Sequence, residues 1–441
     1  MSTSSRNIDR IDALFDDPNS VANAGLILVA TLIKRLGLES LIDQWVRLDG
    51  IGGARPGRKV LTMVCAIIAG GTHIDHVDVL RAGATQRVLP FRVMAPSTVG
   101  TFLRAFTFGH VRQLDAVAAR ALERVWRLGA GPASGEALVI DVDSTIAEVY
   151  GHHKQGAAYG YTKALGYHPL LATRAGTGEI LHARMRKGSA GSARGVVRFA
   201  DELIARLRRA GADGQITLRA DSGFWSWKLI DALNRLEVRW SITVTQHQAI
   251  RAAIATIPDT AWADIDYTIG GTAQVAETNY TTGSGRRART VRLVVRRTRL
   301  TDTHQARLWP DWRHHAFITN VALDAVGADQ FHRNHAIVEL AIRDLKEGAG
   351  LEHCPSGHYS ANAVWLHCAV LAHNLTRWTT ILGNDGPAMN TRTVRTRLIA
   401  VGATLVNRSG RSTLRLPLNW PWADEFTTTL NALRALPAPS G

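Results

Sequence analysis

Apolar residues recur at three- and four-residue intervals through positions 1–130, most clearly in NAGLILVATLIKRLGLESLIDQWV and LDAVAARALERVWRLG. That spacing predicts amphipathic helices. Between the two runs, APSTVGTFLRAF opens on Pro96-Ser97-Thr98, a helix start. The period changes after the glycine-rich stretch from Gly129 to Gly135. EALVIDVDST, YHPLLATRA and EILHARMRKG read as strands, SARGVVRFADELIARLRRAG as a helix, QITLRAD as a strand, WSWKLIDALNRLE as a helix and VRWSITVTQ as a strand. Strand, strand, strand, helix, strand, helix, strand is the order of an α/β, ribonuclease-H-like fold, a mixed sheet flanked by helices. From about Gln248 to Arg313 short alternating strands with polar turns predict a β-rich insertion. AFITNVA then predicts a return strand, and DQFHRNHAIVELAIRDLKEG and ANAVWLHCAVLAHNLTRWTTIL predict helices.

This pattern divides the chain into an all-helical N-terminal region (1–130), the first part of a catalytic core (136–247), the insertion (248–313), the last part of the core (314–385) and a C-terminal region (386–441). The tail is mixed and ends in a Pro-rich segment expected to fray. The helical N-terminus suits a DNA-binding module or a plain bundle. GARPGRK, Gly53 to Lys59, reads as a loop near phosphates or a solvated one.

Composition narrows the partner. Apolar content is 46% and charged content 20%, which predicts a chain folded over most of its length. The 52 Lys+Arg against 37 Asp+Glu leave a net charge of +15, with arginine in excess of lysine, a surplus that suits a polyanion such as nucleic acid. Cys65, Cys354 and Cys368 are too few and too irregular for a disulfide framework and fit a reducing compartment. No signal peptide or membrane span is expected, so a cytoplasmic protein with no membrane partner is the default.

Candidate chemistry lies in three acids. Alternation puts Asp141 and Asp143 on one face of the strand EALVIDVDST, where an acid either caps the turn at Ser144-Thr145 or ligates a metal at the strand end. Asp221 ends QITLRAD, which the inferred fold sets beside the first strand. Two carboxylates there repel unless a hard cation bridges them, and oxygen ligands suit Mg²⁺ or Mn²⁺. On an α-helical wheel His332, His335, Arg343 and Lys346 all fall within about 40° of Glu339. Ile337, Val338, Leu340 and Leu345 are expected to turn into packing. Such a stripe is either a solvated face with an i,i+4 Glu–Arg pair or an acid on a basic, phosphate-facing surface.

At DVDSTIAEVYGHHKQGAAYGYTKALGYHPLLA, LRADSGFWSWKLIDAL and HRNHAIVELAIRDLKEG the chain resembles the DDE transposases of bacterial insertion sequences. The closest group carries its third acid in a Y-x2-R-x3-E-x6-K signature, the DDE transposase group 1. The likeness covers roughly Leu138 to Arg377, and its first block, continuing through Tyr159-Gly160-Tyr161 and Gly166-Tyr167-His168-Pro169, is the most specific part. It implies that Asp143, Asp221 and Glu339 are the catalytic, metal-binding triad, that two Mg²⁺ or Mn²⁺ ions sit there, and that Lys346 is the signature lysine. His332 and His335 stand where the family has Tyr and Arg, with Arg333 adjacent. Cleavage at transposon ends followed by strand transfer would then be the reaction. Double-stranded DNA, as terminal inverted repeats and target, would be the partner, with a homodimer on paired ends in a bacterial, nucleoid-associated setting. The alternatives are a ribonuclease-H-like nuclease that only hydrolyses and a non-catalytic DNA-binding descendant.

Lys346, Arg343, His335, His332 and Arg333 are therefore the expected DNA contacts of the helix, and Arg286, Arg287 and Arg289 those of the densest basic run, GSGRRARTVRLVVRR. MRKGSAGSARG reads as a Gly-rich strand-to-helix turn or a phosphate-facing one. Trp225 and Trp227 read as core or as base-stacking residues. His353-Cys354, His358 and His367-Cys368 lack the spacing of a regular zinc finger.

Overall fold

The computed structural model describes residues 8–438 apart from 51, 152, 161–162, 268–270, 301–311 and 385. Tyr161 of the Gly-Tyr-rich motif lies outside the described residues. Among the described residues no helix is long and apolar enough to cross a membrane.

Five helices open the chain: α1 (Leu26–Arg35), α2 (Leu38–Trp45), α3 (Pro56–Ile68), α4 (Pro96–Arg104) and α5 (Phe108–Val125). GARPGRK is not a free loop. Pro56 begins α3, and buried Lys59 donates to the carbonyls of Gly52 and Ala54, which engages its ammonium inside the fold. Then come the strands β1 (Leu138–Ser144), β2 (Leu170–Arg174) and β3 (Ile180–Arg184), the helix α6 (Val196–Ala210), strand β4 (Ile216–Ala220), helix α7 (Trp227–Arg235) and strand β5 (Arg239–Thr243). The strands pair in the spatial order β3-β2-β1-β4-β5, antiparallel from β3 to β1 and parallel from β1 through β4 to β5. This is the mixed, ribonuclease-H-like sheet that the element order predicts.

The segment after β5 departs from expectation in two ways. QAIRAAIA is a helix, α8 (Gln248–Ala255), with Ile250 and Ile254 buried one turn apart, a signal too short to register beside the strands that follow. The strands themselves are long: β6 (Gly271–Thr282) and β7 (Arg289–Leu300) form a hairpin, and β8 (Arg313–Thr319) joins β7 to β5. The insertion therefore extends the central sheet instead of forming a body apart.

After β8 one helical stretch changes pitch three times: α9 (Ala325–Arg333), a 3₁₀ turn over Asn334–Ile337, α10 (Val338–Arg343) and a π-helical turn over Asp344–Gly348. Helix α11 (Tyr359–Asn384) is buried along nearly its whole length, as an all-round apolar sequence requires. It packs against α3, α4 and α5 on one side and β3 on the other, so a single core joins the N-terminal helices to the sheet. The described tail beyond Thr391 carries regular structure. A hairpin (Ala403–Arg408, Arg411–Arg415) pairs with Ser20–Val21, and the helix Ala423–Ala435 packs on α1 and α11.

Helix α11 also closes the sheet edge. Asn374 accepts from the Ile180 amide at 2.8 Å and donates to the Ile180 carbonyl at 2.8 Å, satisfying both backbone groups of an edge strand. Beside it, fully buried Glu179 accepts from the indoles of Trp126 (3.1 Å) and Trp378 (2.7 Å). Replacing Asn374 with Ala strands two buried backbone groups and should lower stability by about 2–4 kcal/mol. Asn407→Ala on the exposed hairpin should change it by less than about 0.5 kcal/mol. Urea denaturation midpoints of the two variants check this.

Candidate active site

The parallel pairing of β1 and β4 sets Val142 opposite Ala220, so Asp143 and Asp221 follow side by side at the ends of adjacent strands. Asp143 is half-buried, and one of its oxygens accepts from the Ser144 amide at 2.6 Å. Asp221 caps the 3₁₀ turn Ser222–Phe224 and accepts from the Gly223 amide at 3.0 Å, so Ser222-Gly223 ends the strand and fixes the carboxylate. Glu339 lies in the first turn of α10 with its side chain exposed.

Electrostatics ties the three together. Burial, followed by the charges of Asp221 and Glu339, pushes the Asp143 carboxyl up to about 6, against the pull of the Ser144 amide and of His335. Desolvation likewise raises Asp221, against the Gly223 amide and the nearby His335 and His168. Among the described residues no lysine or arginine forms an ion pair with Asp143, Asp221 or Glu339. Carboxyls raised chiefly by burial, as Asp143 and Asp221 are, with no lysine or arginine paired to them among the described residues, suit a hard divalent ion.

A second acidic group gives the contrast. Asp115, His182 and Glu202 hold ligand atoms within 4.8 Å of one another. Arg206 reaches Asp115 at 2.7 Å, Arg112 bridges Asp115 (3.1 Å) and Glu202 (3.0 Å), and Arg184 pairs with Glu202. Although burial raises both carboxyls, these cations and His182 outweigh it and hold Asp115 and Glu202 well below the usual carboxylate range. Cations already neutralise that cluster, and it staples α5 to α6 and β3.

Asp141 has a different fate from Asp143 on the same strand face. It is buried and receives two hydrogen bonds from Arg219, at 2.7 and 2.8 Å, and one from His335 Nδ1 at 2.8 Å. Arg219 also donates to the carbonyls of Phe331 (2.6 Å) and Asn334 (3.3 Å).

The helix stripe is only partly as expected. Arg343 is exposed and Lys346 half-buried near Glu339, while His335 turns inward to Asp141. His332 is not a DNA contact. It is 3% exposed, stacks on Phe317 at 4.1 Å and hydrogen-bonds Ser241 (2.8 Å) and Thr243 (2.9 Å). The 3₁₀ turn between His332 and Glu339 advances faster per residue than an α-helix, so a single α-helical wheel misplaces His332. Ile337 and Leu340 are exposed rather than packed, and Val338, Ala341, Ile342 and Leu345 form the buried face. Arg333 pairs with Asp329 at 2.9 Å and sits over Tyr267 at 5.3 Å.

Away from the acids, Arg286 and Arg287 are exposed at the hairpin tip. Arg289 makes two 2.9 Å bonds to Asp231 and lies 5.1 Å over Trp227, beside an open groove of about 590 Å³ that Trp240 and Arg292 also line. Trp225 and Trp227 are half-buried against the core. The turn at Gly188 is a tight strand-to-helix turn. A Cβ there would lie 2.1 Å from the Gly166 carbonyl, and Arg186 gathers the carbonyls of Gly191, Ser192 and Arg194. Cys354 and Cys368 are buried thiols pushed up to about 12. Neither joins a group of metal-ligating side chains among the described residues.

Sequence reading missed Arg219. Its signal is the pair of i,i+2 patterns Asp141–Asp143 and Arg219–Asp221, whose first members stand opposite each other in the β1–β4 register.

A ribonuclease-H-like sheet with a carboxylate-lined end is the architecture of a polynucleotidyl transferase or nuclease. The chain belongs to the family Transposase DDE domain group 1, which matches residues 4–438, and is a DDE transposase. No curated protein matches it. Among solved structures it is similar to a piggyBac transposase synaptic complex with hairpin DNA, determined by cryo-EM. The two are 10% identical, with a TM-score of 0.42, over 87% of this chain and 79% of that one.

A carboxyl raised in the folded state favours folding below its unfolded pKa, and that contribution is lost as pH rises through the folded value. For Asp143 the window runs from about 4 to about 6. In EDTA, Asp143→Asn should therefore raise the melting temperature by a few degrees at pH 7.5, and the gain should vanish near pH 4. Melting curves across that range check the sign.

Proposed function

We propose that the chain cuts DNA at transposon ends and joins the freed 3′ ends to target DNA, with Asp143, Asp221 and Glu339 as the ligands of two divalent ions. The observation that carries this reading is that Asp143 and Asp221 end adjacent strands with no lysine or arginine paired to them among the described residues, while burial, helped by the charges of Asp221 and Glu339, raises Asp143 to about 6. Mg²⁺ or Mn²⁺ bound there supplies charge neutralisation at the scissile phosphate and acidifies the attacking hydroxyl.

The chain's own residues do the rest. Asp143 and Asp221, fixed by the Ser144 and Gly223 amides, present oxygens at the ends of adjacent strands, and Glu339, in the first turn of α10, would add the third carboxylate. Arg343 and Lys346, one and two turns on from Glu339, hold the DNA backbone beside the reacting phosphate. Arg286 and Arg287 at the hairpin tip hold it further out. His335, Arg333 and Arg289 have protein partners and orient these surfaces. A cytoplasmic homodimer on paired ends completes the reading, and the net charge of +15 suits its polyanionic partner.

Purified protein with Mg²⁺ should cleave and join a duplex carrying the inverted repeats that flank its gene. Cleavage without joining would leave a hydrolytic nuclease, and DNA binding with neither would leave a non-catalytic descendant. Replacing Asp143, Asp221 or Glu339 with Ala should abolish cleavage and spare DNA binding; full-rate cutting by Asp221→Ala would contradict the assignment.

Arg286→Ala with Arg287→Ala should instead keep the chemistry and weaken binding. The slope of log affinity against log salt should shrink by roughly 1–2 in magnitude, about 0.9 for each phosphate that is no longer neutralised. Fluorescence anisotropy across a salt series measures it.

A further inference from the structure

Each of the three acids follows closely in sequence on a residue that meets the other two in one largely buried knot. Asp141 stands two residues before Asp143, Arg219 two before Asp221, and His335 four before Glu339. Residues two apart on a strand share a face, and the 3₁₀ turn that holds His335 leads directly into the helix of Glu339. We propose that Asp141, Arg219 and His335 are positioning residues that set the spacing of the three metal-binding carboxylates. This inference rests on the reading of Asp143, Asp221 and Glu339 as ion ligands.

The contacts form a closed set. Arg219 grips both oxygens of Asp141 at 2.7 and 2.8 Å across the β1–β4 pair, which pins the two strands one step before their carboxylates. The same guanidinium donates to the Phe331 and Asn334 carbonyls at 2.6 and 3.3 Å, holding the turn that leads into α10. His335 donates from Nδ1 to Asp141 at 2.8 Å, because a carboxylate only accepts, and so ties the base of Glu339's helix to β1. Arg219 and Asp141 are 3% and 1% exposed, so neither is available to DNA. Three like-charged ligands repel when no ion is bound, and a rigid frame behind them limits how far they can move apart. Lysine cannot replace Arg219, because one ammonium lacks the planar fork that serves two carboxylate oxygens and two carbonyls at once.

The test uses the full chain with Arg219→Lys and the paired change Asp141→Leu with Arg219→Met. The pair removes both buried charges together and so keeps the fold where a single deletion would leave an orphan charge. Circular dichroism establishes folding, calorimetric titration with Mn²⁺ reads the ion site, and single-turnover cleavage of the inverted-repeat duplex reads the chemistry. Hydrogen exchange reads the amides of residues 338–345. In the folded variants, Mn²⁺ affinity and cleavage rate should each fall about 10–100-fold. Exchange in 338–345 should rise, and DNA affinity in EDTA should hold. A folded paired variant with the Mn²⁺ affinity and cleavage rate of the unaltered protein would overturn the proposal. Asp143→Asn separates the two levels. If it abolishes Mn²⁺ binding while the paired variant keeps it, only the positioning role falls. If Asp143→Asn itself binds Mn²⁺ and cleaves normally, the ion-site reading falls and the knot's role with it.

Discussion

Carboxylates gathered at the end of a sheet repel one another, and the chain meets that constraint in two different ways within a few residues. Asp141 is buried and fully compensated by Arg219, with His335 completing its hydrogen bonds. Asp143, on the same face and one step further out, has no cationic partner among the described residues and is raised to about 6. A buried carboxylate without its counter-charge costs far more than an exposed one. The first acid thus holds the frame, and the second keeps a charge deficit that a divalent ion fits.

The frame explains why the site is assembled from such distant parts of the chain. The parallel β1–β4 pair brings Asp143 beside Asp221, and the return of β8 to β5 leads into the helix of Glu339, whose charge acts on Asp143. The long β6–β7 hairpin is inserted between those steps without disturbing them, because it adds to the sheet edge beyond β8. Arg286 and Arg287 at its tip are exposed, whereas Arg296 is buried and paired with Asp329. Behind the sheet, α11 joins the N-terminal helices to β3 in one core, so the helical region is braced against the catalytic sheet.

The fold was legible wherever a single period ran long enough. The strand–helix order from β1 to β5 and the all-apolar α11 read directly from alternation and helical spacing. Two kinds of feature did not. Short elements such as α8, and the C-terminal helix with its mixed pattern, carry too few periodic positions to stand out against neighbouring strands. Changes of pitch were invisible as well: a 3₁₀ turn at Asn334–Ile337 rotates His332 into the core and leaves a wheel drawn from Glu339 out of phase. At the site, the acids were legible from strand ends and from resemblance. Arg219 was not, since its meaning depends on the β1–β4 register that sets it opposite Asp141.

In the proposed reaction Asp143, Asp221 and Glu339 hold divalent ions. Crystals of the protein grown with Mn²⁺ and measured at the manganese absorption edge test it most directly. Anomalous peaks should be bounded by oxygens of those three side chains, two of them about 3.5–4 Å apart once DNA is bound. Manganese at Asp115, His182 and Glu202 instead, or no peak beside Asp143, would contradict it.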